Sequence, residues 1–333
     1  MAQIKRIFSG IQPSGAVHLG NYLGAIRNWV QLQEKCSSVL YSIVDLHSLT
    51  MPQAPLLLSA NIRSMTTCLL ACGVDPRKSI IFQQSQVPYH TELAWLLGCI
   101  TPVGWLNRMT QWKAKGATDN RDVVCLGLFA YPVLMAADVL LYRSSHVPVG
   151  DDQLQHLELA RDLARSFNSS RGSTVFPEPK PLLSEVTRVM SLRNPLQKMS
   201  KSDNQEMSRI DLSDTPDEIR KKVRKAVTDS QSQITYDPEG RPGVSNLVSI
   251  YSALTSMTHE EVCTKFEGRE TIHFKEELSE VIVDKLEPIR QETLRLEKDP
   301  GYIDQVLKSG AQQATQLAES TMQEVKSLLG IAL

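Results

Sequence analysis

Short apolar segments alternate with segments of helical periodicity over the first 83 residues. Ile4–Ser9, Val39–Val44 and Ile80–Gln83 are apolar runs of strand length. Leu19–Leu32 and Leu56–Ala71, which lie between them, carry apolar residues at helical spacing. Continuous apolar strands separated by helices are typical of open parallel sheets that are covered on both faces. The alternation therefore predicts an α/β fold.

The sequence after about residue 205 predicts helices and no further strands. Thr215–Glu218 combines a capping hydroxyl, a proline at the first helical position and a glutamate three residues after the cap, which favours a helix start. Residues 168–181 are rich in Ser, Gly and Pro and predict a loop. Further helical segments follow at Val244–Leu254, Glu260–Phe266, Phe274–Leu296 and a stripe from Leu307 to Leu328. We therefore expect a helical region behind the α/β domain.

Charge and cysteine content exclude several classes of protein. With 36 basic and 37 acidic residues among 333, the formal net charge is −1, which excludes a histone-like protein but not a local basic groove. The six cysteines, with Cys68 and Cys72 four apart, fit neither a zinc-finger spacing nor a disulfide scaffold and indicate reduced thiols inside a cell or organelle. Strand-like sequence begins almost at Met1, so we expect no signal or transit peptide.

One segment is apolar enough to raise the question of a membrane span. Val123–Tyr142 contains Asp138 as its only charge. A transmembrane helix is one interpretation. Because Gly127 and Pro132 interrupt the run, we favour a helix end and a turn followed by a buried helix. Asp138 would then be a buried carboxylate, which is costly without a partner.

A glycine-bearing turn joins the first strand to the first helix. Gly10–Gly15 is followed by His18–Asn21 at the predicted helix start. Free backbone N–H groups and the positive end of the helix dipole make such a junction suitable for anions. It is no P-loop, since Ala16 and Val17 stand where Lys and Ser/Thr belong, and it lacks the dinucleotide fingerprint. Gly20 and Gly24 share one helical face, which suits either close contact with a ligand or helix–sheet packing.

A second short segment, Lys198–Ser202, follows the α/β domain. Two flexible ammonium groups three residues apart, flanked by hydroxyls, suit a mobile clamp on phosphate oxygens. A solvated surface loop is the ordinary alternative. The presence of His18–Asn21 in the same chain, in this order, favours the clamp.

These motifs resemble the class I aminoacyl-tRNA synthetases. His18–Asn21 stands for the family's His-Ile-Gly-His signature, with Asn21 in place of the second histidine, and Lys198–Ser202 is its Lys-Met-Ser-Lys-Ser loop. More narrowly, the chain resembles the tryptophanyl-tRNA synthetases of bacterial and organellar type. Further matching segments are Phe8–Gly15, Gly20–Tyr22, Val44-Asp45 with His47, Tyr131–Asp138, Val147–Gln153, Ala226–Asp229 and Gly243–Asn246. Leu46, Gln84–Gln86 and Gln111–Lys115 are nearer the animal mitochondrial form.

The resemblance implies a fold, partners and a compartment. It implies a Rossmann-like catalytic domain over residues 1–200, an all-helical anticodon-binding domain over 201–300, and a C-terminal helix over 301–333 that packs back on the body. Substrates and partners would be L-tryptophan, ATP with Mg²⁺, tRNA-Trp and a second copy in a homodimer, with no membrane. The basic face Arg220–Lys225 is a candidate tRNA contact. The compartment would be the mitochondrial matrix, with the bacterial cytoplasm as the alternative.

The resemblance also assigns residues to ATP. His18, Lys198, Lys201 and Lys115 would act on the phosphates, and no protein side chain would hold a metal. Val189 and the Met199 backbone would read adenine. Residues implied to bind ATP are Gln12, Pro13, Ser14, Gly20, Asn21, Gly150, Asp151, Asp152, Val189, Lys198, Met199, Ser200, Lys201 and Ser202.

The tryptophan pocket implied by the resemblance centres on Asp138. Its carboxylate would accept the indole N–H, and as the sole charge of an apolar run it is expected to be short of partners in the empty enzyme. Tyr131 and Gln153 would orient the substrate ammonium. The walls would be Phe8, Gly10, His47, Met135, Val147 and Val149.

Three other classes remain as alternatives. Another nucleotidyltransferase would share the α/β fold but would not need the long helical region. A binding protein that had lost catalysis would be expected to have lost His18 or Lys201, and both are present. Tyrosyl-tRNA synthetase would need a pocket that satisfies a phenol.

Overall fold

The computed structural model describes residues 6–52, 54–110, 112–113, 125–150, 153–182, 188–201 and 203–332. These residues form a five-stranded sheet with the strand order β3-β2-β1-β4-β5. The strands are β1 (Ile7–Ile11), β2 (Val39–Ile43), β3 (Ile80–Gln83), β4 (His146–Pro148) and β5 (Lys180–Leu182), and every pair is parallel. The predicted α/β class with an open parallel sheet is confirmed.

Helices connect the strands and cover both faces of the sheet. The first helix begins as α1 (Leu19–Asn21), passes through a π-helical turn (Tyr22–Ile26) and continues as α2 (Arg27–Lys35). The other helices of this region are α3 (Asp45–Ser48), α4 (Pro55–Ala71), α5 (Tyr89–Gly98), α6 (Val103–Asn107), α7 (Leu126–Leu141) and α8 (Leu154–Arg171).

The alternation of side chains along the strands divides the core into two layers. Ile7 and Tyr41 enter the layer that contains α2 and α4, whereas Phe8, Leu40 and Phe82 enter the layer that contains α5, α7 and α8. Successive side chains of a strand point to opposite faces, so a sheet covered on both sides has apolar residues throughout. This is the physical reason for the continuous apolar runs in the sequence.

The apolar run Val123–Tyr142 forms one buried helix over its described part. α7 runs from Leu126 to Leu141 with Pro132 inside it, so the expected interruption at Gly127 and Pro132 is wrong. A proline within a helix removes one hydrogen bond, and the cost is offset here by burial of most of the helix among α5, α8 and the sheet. Among the described residues, no helix is long and apolar enough to cross a membrane.

Two short strands were not predicted. β5 begins at Lys180 and α8 extends to Arg171, so the predicted loop over 168–181 is wrong at both ends. β4 and β5 have three residues each, which is too short for apolar periodicity to show in the sequence. Gly172, at φ 59°, ends α8 in the left-handed conformation that favours glycine.

The chain after the sheet is helical in its described part, as predicted. It contains α9 (Pro216–Arg224), α10 (Pro242–Thr255), α11 (His259–Lys265), α12 (Thr271–Glu297) and α13 (Pro300–Leu329). At the start of α9, Thr215 accepts a hydrogen bond from the Glu218 N–H, and the Glu218 side chain returns to the Thr215 N–H, which confirms the predicted capping box.

The last helix crosses the edge strand of the sheet at very short range. A Cβ atom on Gly310 of α13 would lie 1.8 Å from the backbone oxygen of Ile81 in β3. Only glycine permits this approach. The contact covers the edge of β3 with a helix, which protects an otherwise open sheet edge.

Candidate active site

The predicted site residues converge at the carboxyl ends of β1, β2 and β4. β1 lies between β2 and β4, so the strand order reverses beside it. Ligands of open α/β sheets bind in the crevice outside the carboxyl ends of the strands at such a switch point. Gly10 lies near the carboxyl end of β1. His47 lies in α3, which follows β2, and Val149 directly follows β4. At Gly10 a Cβ atom would lie 2.8 Å from Cγ1 of Val44, so a side chain there would require Val44 to shift.

His18 caps the first helix and is itself fixed by Asn21. The Asn21 backbone N–H donates to Nδ1 of His18, and the His18 N–H donates to Oδ1 of Asn21, both at 3.3 Å. Because Nδ1 accepts this bond, the proton of the neutral imidazole is on Nε2. Gly20 packs against the ring, and a Cβ there would lie 3.0 Å from Nδ1 and 3.5 Å from Cβ of Val189. The signature residues and Val189 therefore share one small space.

The environment of His18 disfavours its protonated form. The side chain is buried, with the residue 3% exposed. Burial, and then the positive charges of Lys201, Arg209 and Lys198, lower the pKa of His18 from 6.5 to about 4. At neutral pH the imidazole is therefore an uncharged N–H donor surrounded by cations.

The lysine loop reaches back to the glycine turn. Nζ of Lys201 donates to the backbone oxygen of Ser14 at 2.5 Å, although 187 residues separate them. The Met199 N–H donates to the Val189 oxygen at 3.0 Å, and Met199 is buried. Burial lowers the pKa of Lys201. The two predicted motifs thus meet in the folded chain, with the loop anchored by the Met199 side chain.

A segment behind the lysine loop holds the helix start in place. The Leu19 N–H donates to the Ile210 oxygen at 2.8 Å, and the Leu212 N–H donates to the Val17 oxygen at 2.9 Å. The Arg209 side chain donates to the backbone oxygen of Asp203 at 2.9 Å and to the carboxylate of Asp211 at 3.2 Å. Sequence reasoning missed Arg209, because a single arginine in a loop gives no periodic or motif signal.

Asp138 is not short of partners, contrary to our expectation. Its Oδ2 lies 2.7 Å from Nε2 of His47. Its Oδ1 accepts from Nε2 of Gln84 at 2.7 Å and lies 2.6 Å from Nδ1 of His90. The expectation failed because these donors come from α3, α5 and the turn after β3, which sequence proximity does not reveal.

These contacts also decide the charge of Asp138. Complete burial by itself would raise the pKa of the carboxyl group, but the charge and hydrogen bond of His47 and the hydrogen bond of His90 outweigh it and lower the pKa to about 2. Asp138 is therefore a buried carboxylate that accepts hydrogen bonds at neutral pH. Tyr142, which contacts His90, directly follows the end of α7, and its position four residues after Asp138 is the signal that could have found it.

The other predicted pocket residues lie on several elements. The Tyr131 hydroxyl lies 2.7 Å from Nε2 of His156, and the Tyr131 ring contacts His47 edge-on at 6.3 Å. Phe8 stacks on Tyr142 at 5.7 Å. Met135 is half-buried on α7, Val147 and Val149 are buried, and the Gln153 N–H donates to Gly150 at 3.0 Å. Gln12, Ser14 and Gly10 are exposed, whereas Pro13 is buried.

Some predicted residues lie outside the described residues: Lys115, Asp151, Asp152 and Ser202. Within the described residues, no group of three or more His, Cys, Asp or Glu side chains could hold a metal ion. The described part brings together cationic lysines, a neutral imidazole donor and backbone N–H groups in one region, and in another a buried carboxylate held by His47, Gln84 and His90. Such a site suits charge stabilisation on phosphate oxygens next to a pocket for an apolar ligand with one donor.

Comparisons with known proteins identify the family. The family model for tRNA synthetases class I (W and Y) matches residues 3–287. The tryptophan–tRNA ligase of Caldanaerobacter subterraneus subsp. tengcongensis is 49% identical over 331 residues, which cover 99% of each chain. The structure of tryptophanyl-tRNA synthetase from Mycoplasma pneumoniae has a TM-score of 0.87 and 35% identity and covers 98% of each chain. Tryptophanyl-tRNA synthetase from Campylobacter jejuni, complexed with ADP and tryptophan, has a TM-score of 0.82 and 34% identity over 98% of this chain and 99% of its own. The chain belongs to the class I tRNA synthetases for tryptophan and tyrosine, in the branch of the tryptophan–tRNA ligases.

Proposed function

We propose that the chain activates L-tryptophan with ATP and transfers it to the 3′ end of tRNA-Trp. The observation that carries the proposal is the contact of Lys201 with Ser14, which joins the lysine loop to the turn before His18. A complex of the Campylobacter jejuni relative with ADP and tryptophan supports a site for an adenine nucleotide and tryptophan.

The first step is an in-line displacement at the α-phosphorus of ATP. A carboxylate oxygen of tryptophan forms the new P–O bond, the bond to the bridging oxygen breaks, and pyrophosphate leaves with the electron pair. Catalysis of such a step rests on positioning and on stabilising charge. We assign Nε2–H of His18 and the backbone of the Gly20 turn to the α-phosphate, with Gln12 beside them. Lys198 and Lys201 neutralise the pyrophosphate, together with Lys115.

The adenosine end of ATP would bind between the helix start and the lysine loop. Gly20 and Val189 lie side by side, since a Cβ atom on Gly20 would be 3.5 Å from Cβ of Val189, and we assign this pair to one face of the adenine. The Met199 N–H already donates to Val189, so we assign the Met199 carbonyl to the amino group of adenine. Gly150, Asp151 and Asp152 would meet the ribose. Asn21 contributes mainly through the cap, because its Oδ1 accepts from His18.

Tryptophan would bind with its indole N–H at Oδ2 of Asp138. A carboxylate has no donor and the indole has no acceptor, so the two groups match. Burial raises the pKa of Tyr131 to about 12, which keeps its hydroxyl protonated. This hydroxyl can donate to His156 while its oxygen accepts from the substrate ammonium, and Gln153 lies one helix turn before His156.

Mg²⁺ would enter with the phosphates of ATP and neutralise part of their charge. The fit is to the phosphates rather than to protein ligands, because the described side chains around the lysine loop are mainly cations: Lys198, Lys201 and Arg209. These three side chains would contact the phosphate oxygens whichever way the metal is bound.

The helical region would bind the anticodon end of tRNA, as part of the proposed division into residues 1–200, 201–300 and 301–333. The basic face Arg220–Lys225 contributes only in part. Arg220 is paired with Glu280 at 2.7 Å, and Lys222 is buried against Asp214 at 2.5 Å. Lys221, Arg224 and Lys225 are exposed and form the remaining candidate contact.

A homodimer is also proposed. Three large side chains on helices that pack against one another are strongly exposed: Trp95 of α5 at 75%, Val103 of α6 at 63% and Leu126 of α7 at 76%. Contiguous exposed apolar surface marks protein contacts.

The bacterial sources of the relatives favour the bacterial cytoplasm over the mitochondrial matrix that we expected first.

Amino-acid-dependent exchange of pyrophosphate into ATP tests the function directly. We expect exchange with tryptophan and little with any other proteinogenic amino acid. Tyrosine as the best substrate would contradict the assignment to tryptophan. Exchange with none of them, under conditions where ATP binds, would contradict activation itself. Charging of tRNA-Trp transcripts then tests the second step.

A further inference from the structure

A chain of buried polar groups lies behind the carboxylate of Asp138. We call Gln84, His90 and Tyr142 the supporting shell. All three are 0% exposed, and Asp138 is 1% exposed. Gln84 and His90 contact Oδ1 of Asp138, and Tyr142 contacts His90, so all three lie on the side of the carboxylate away from the Oδ2 contact with His47. Each of these buried groups needs a hydrogen-bond partner, because buried polar groups are costly unless they are paired.

The direction of each hydrogen bond in this shell can be derived. The Leu46 N–H donates to Oε1 of Gln84, so the other end of this amide is the NH₂ group and donates to Asp138. The carboxylate only accepts, so Nδ1 of His90 carries a proton and donates to it. Burial and the charge of Asp138 raise the pKa of Tyr142, whose hydroxyl therefore stays protonated and donates to Nε2 of His90 at 2.8 Å.

The two carboxylate oxygens consequently differ. Oδ1 accepts from Gln84 and His90, which fill its two lone-pair positions. Oδ2 is bonded to His47 alone among the described residues and retains one position. His47 lies beside Tyr131, the side chain that the proposed function assigns to the substrate ammonium. The shell thus turns a symmetric carboxylate into one with a single unfilled acceptor position, on the oxygen that contacts His47.

We propose that His90, oriented by Tyr142, is a positioning residue that fixes Asp138 so that Oδ2 alone reads the indole N–H, and that selectivity for an N–H donor depends on this contact. The inference rests on the proposed function and adds residues that do not touch the substrate. Tyr142 also stacks on Phe8 at 5.7 Å, so the same shell supports one wall of the pocket.

Variants of His90 separate this role from packing. The amide nitrogen of Asn is as many bonds from Cα as Nδ1 of His, whereas that of Gln corresponds to Nε2. His90→Asn therefore keeps a hydrogen-bond donor toward Asp138. His90→Gln is a polar control of similar size, which keeps a polar group only toward Tyr142. Tyr142→Phe removes one hydroxyl and is a milder second test. Activation is measured for tryptophan and for β-(benzothiophen-3-yl)alanine, in which sulfur replaces the indole N–H.

We expect His90→Leu and His90→Gln to raise KM for tryptophan about tenfold, by loss of a charge-assisted hydrogen bond that orients the acceptor. The preference for tryptophan over the sulfur analogue should fall by a similar factor, while kcat and KM for ATP change less than about threefold. His90→Asn should recover most of both losses, and Tyr142→Phe should cause a smaller change in the same direction.

Two results would overturn the inference. One is a normal preference for tryptophan in folded His90→Gln and Tyr142→Phe, because the shell would then serve packing alone. The other is an equal defect in His90→Asn and His90→Leu, because the donor at Nδ1 would then be irrelevant. Either result, with wild type still exchanging pyrophosphate in the presence of tryptophan, would leave the proposed function intact. Wild type inactive with tryptophan would overturn both.

Discussion

Replacing Asp138 by Leu tests whether the carboxylate stabilises the fold that surrounds it. If Asp138 were the unpaired buried carboxylate that we expected from the sequence, its removal would stabilise the protein. The structure reverses the sign, since three buried donors converge on the carboxylate from His47, Gln84 and His90. The imidazoles can transfer their protons to their other nitrogens, but the Gln84 amide is held by Leu46 and cannot turn.

The cost can be estimated from these contacts. A buried donor without an acceptor costs about 1–3 kcal/mol, and one partner removed from a buried charged pair costs about 3–5 kcal/mol. With the histidines partly relaxed, we expect Asp138→Leu to lower the free energy of unfolding by about 3 kcal/mol. For a chain of this length that corresponds to a melting temperature lower by roughly 4 °C. Differential scanning calorimetry or thermal unfolding by circular dichroism measures it.

Asp138→Asn separates charge from shape. The donors Gln84 and His90 require an oxygen at the Oδ1 position, so the new NH₂ group must take the place of Oδ2. It would face the indole N–H, donor against donor. We expect kcat/KM for tryptophan to fall by roughly 10–100-fold, the equivalent of a charged hydrogen bond of about 1.5–3 kcal/mol. The preference for tryptophan over phenylalanine should fall with it.

The control for both variants is Asp214→Asn. Asp214 is a buried carboxylate paired with Lys222 outside the pocket, so its loss should reduce stability and leave the tryptophan preference unchanged. An unchanged ratio of tryptophan to phenylalanine in both Asp138 variants would refute the reasoning, since Asp138 would then be a structural acid only. A melting temperature of Asp138→Leu above that of wild type would refute the stability argument.

Three further predictions concern the phosphate side and the tRNA. Lys201→Ala should slow single-turnover adenylate formation by roughly 10²–10³-fold with little effect on equilibrium tryptophan binding, because its ammonium lies at the Ser14 turn, and equal losses in both would contradict a role in the transition state. Reversing the charges of Lys221 and Arg224 should raise KM for tRNA and flatten its salt dependence without changing pyrophosphate exchange, and unaffected tRNA kinetics would make the face a solubilising surface. His18 takes up a proton below about pH 6.5 in the unfolded chain and only near pH 4 in the folded chain. The free energy of unfolding should therefore decrease by about 3 kcal/mol as the pH falls from about 6.5 to about 4. Urea unfolding of wild type and His18→Gln at several pH values measures this difference, and parallel pH curves would contradict it.

Local signals in the sequence were sufficient for the helices and the longer strands. The capping box of Thr215 and Glu218 forms as predicted because both residues act within one helical turn. β4 and β5 were missed because three residues cannot display a period. The sequence also did not show that part of the basic face Arg220–Lys225 is paired with acidic residues. The partner of Arg220 is Glu280 on α12, which is far away in sequence.

The site was predictable in its motifs and not in its supporting contacts. His18, Asn21 and Lys201 stand in segments whose spacing the resemblance supplied, and the structure brings these segments together. Gln84 and His90 had no such signal, because each is an ordinary polar residue until the fold carries it to Asp138. The pairing of a buried carboxylate is decided by tertiary structure, so a lone charge in an apolar run predicts burial but not its partners.

Asn21 illustrates how one substitution in a motif can be balanced locally. The family signature has a second histidine at this position, so the proposed mechanism has one imidazole for the phosphates. The Asn21 side chain is short enough to accept from the N–H of His18 while its own backbone N–H holds Nδ1 of the ring. These two bonds fix both the orientation and the tautomer of His18, so Nε2–H is directed away from the cap. Since Lys198, Lys201 and Arg209 already surround His18 with positive charge, a second imidazole would add little charge stabilisation. A fixed donor in a cationic site is therefore the arrangement that this chain uses in place of two histidines.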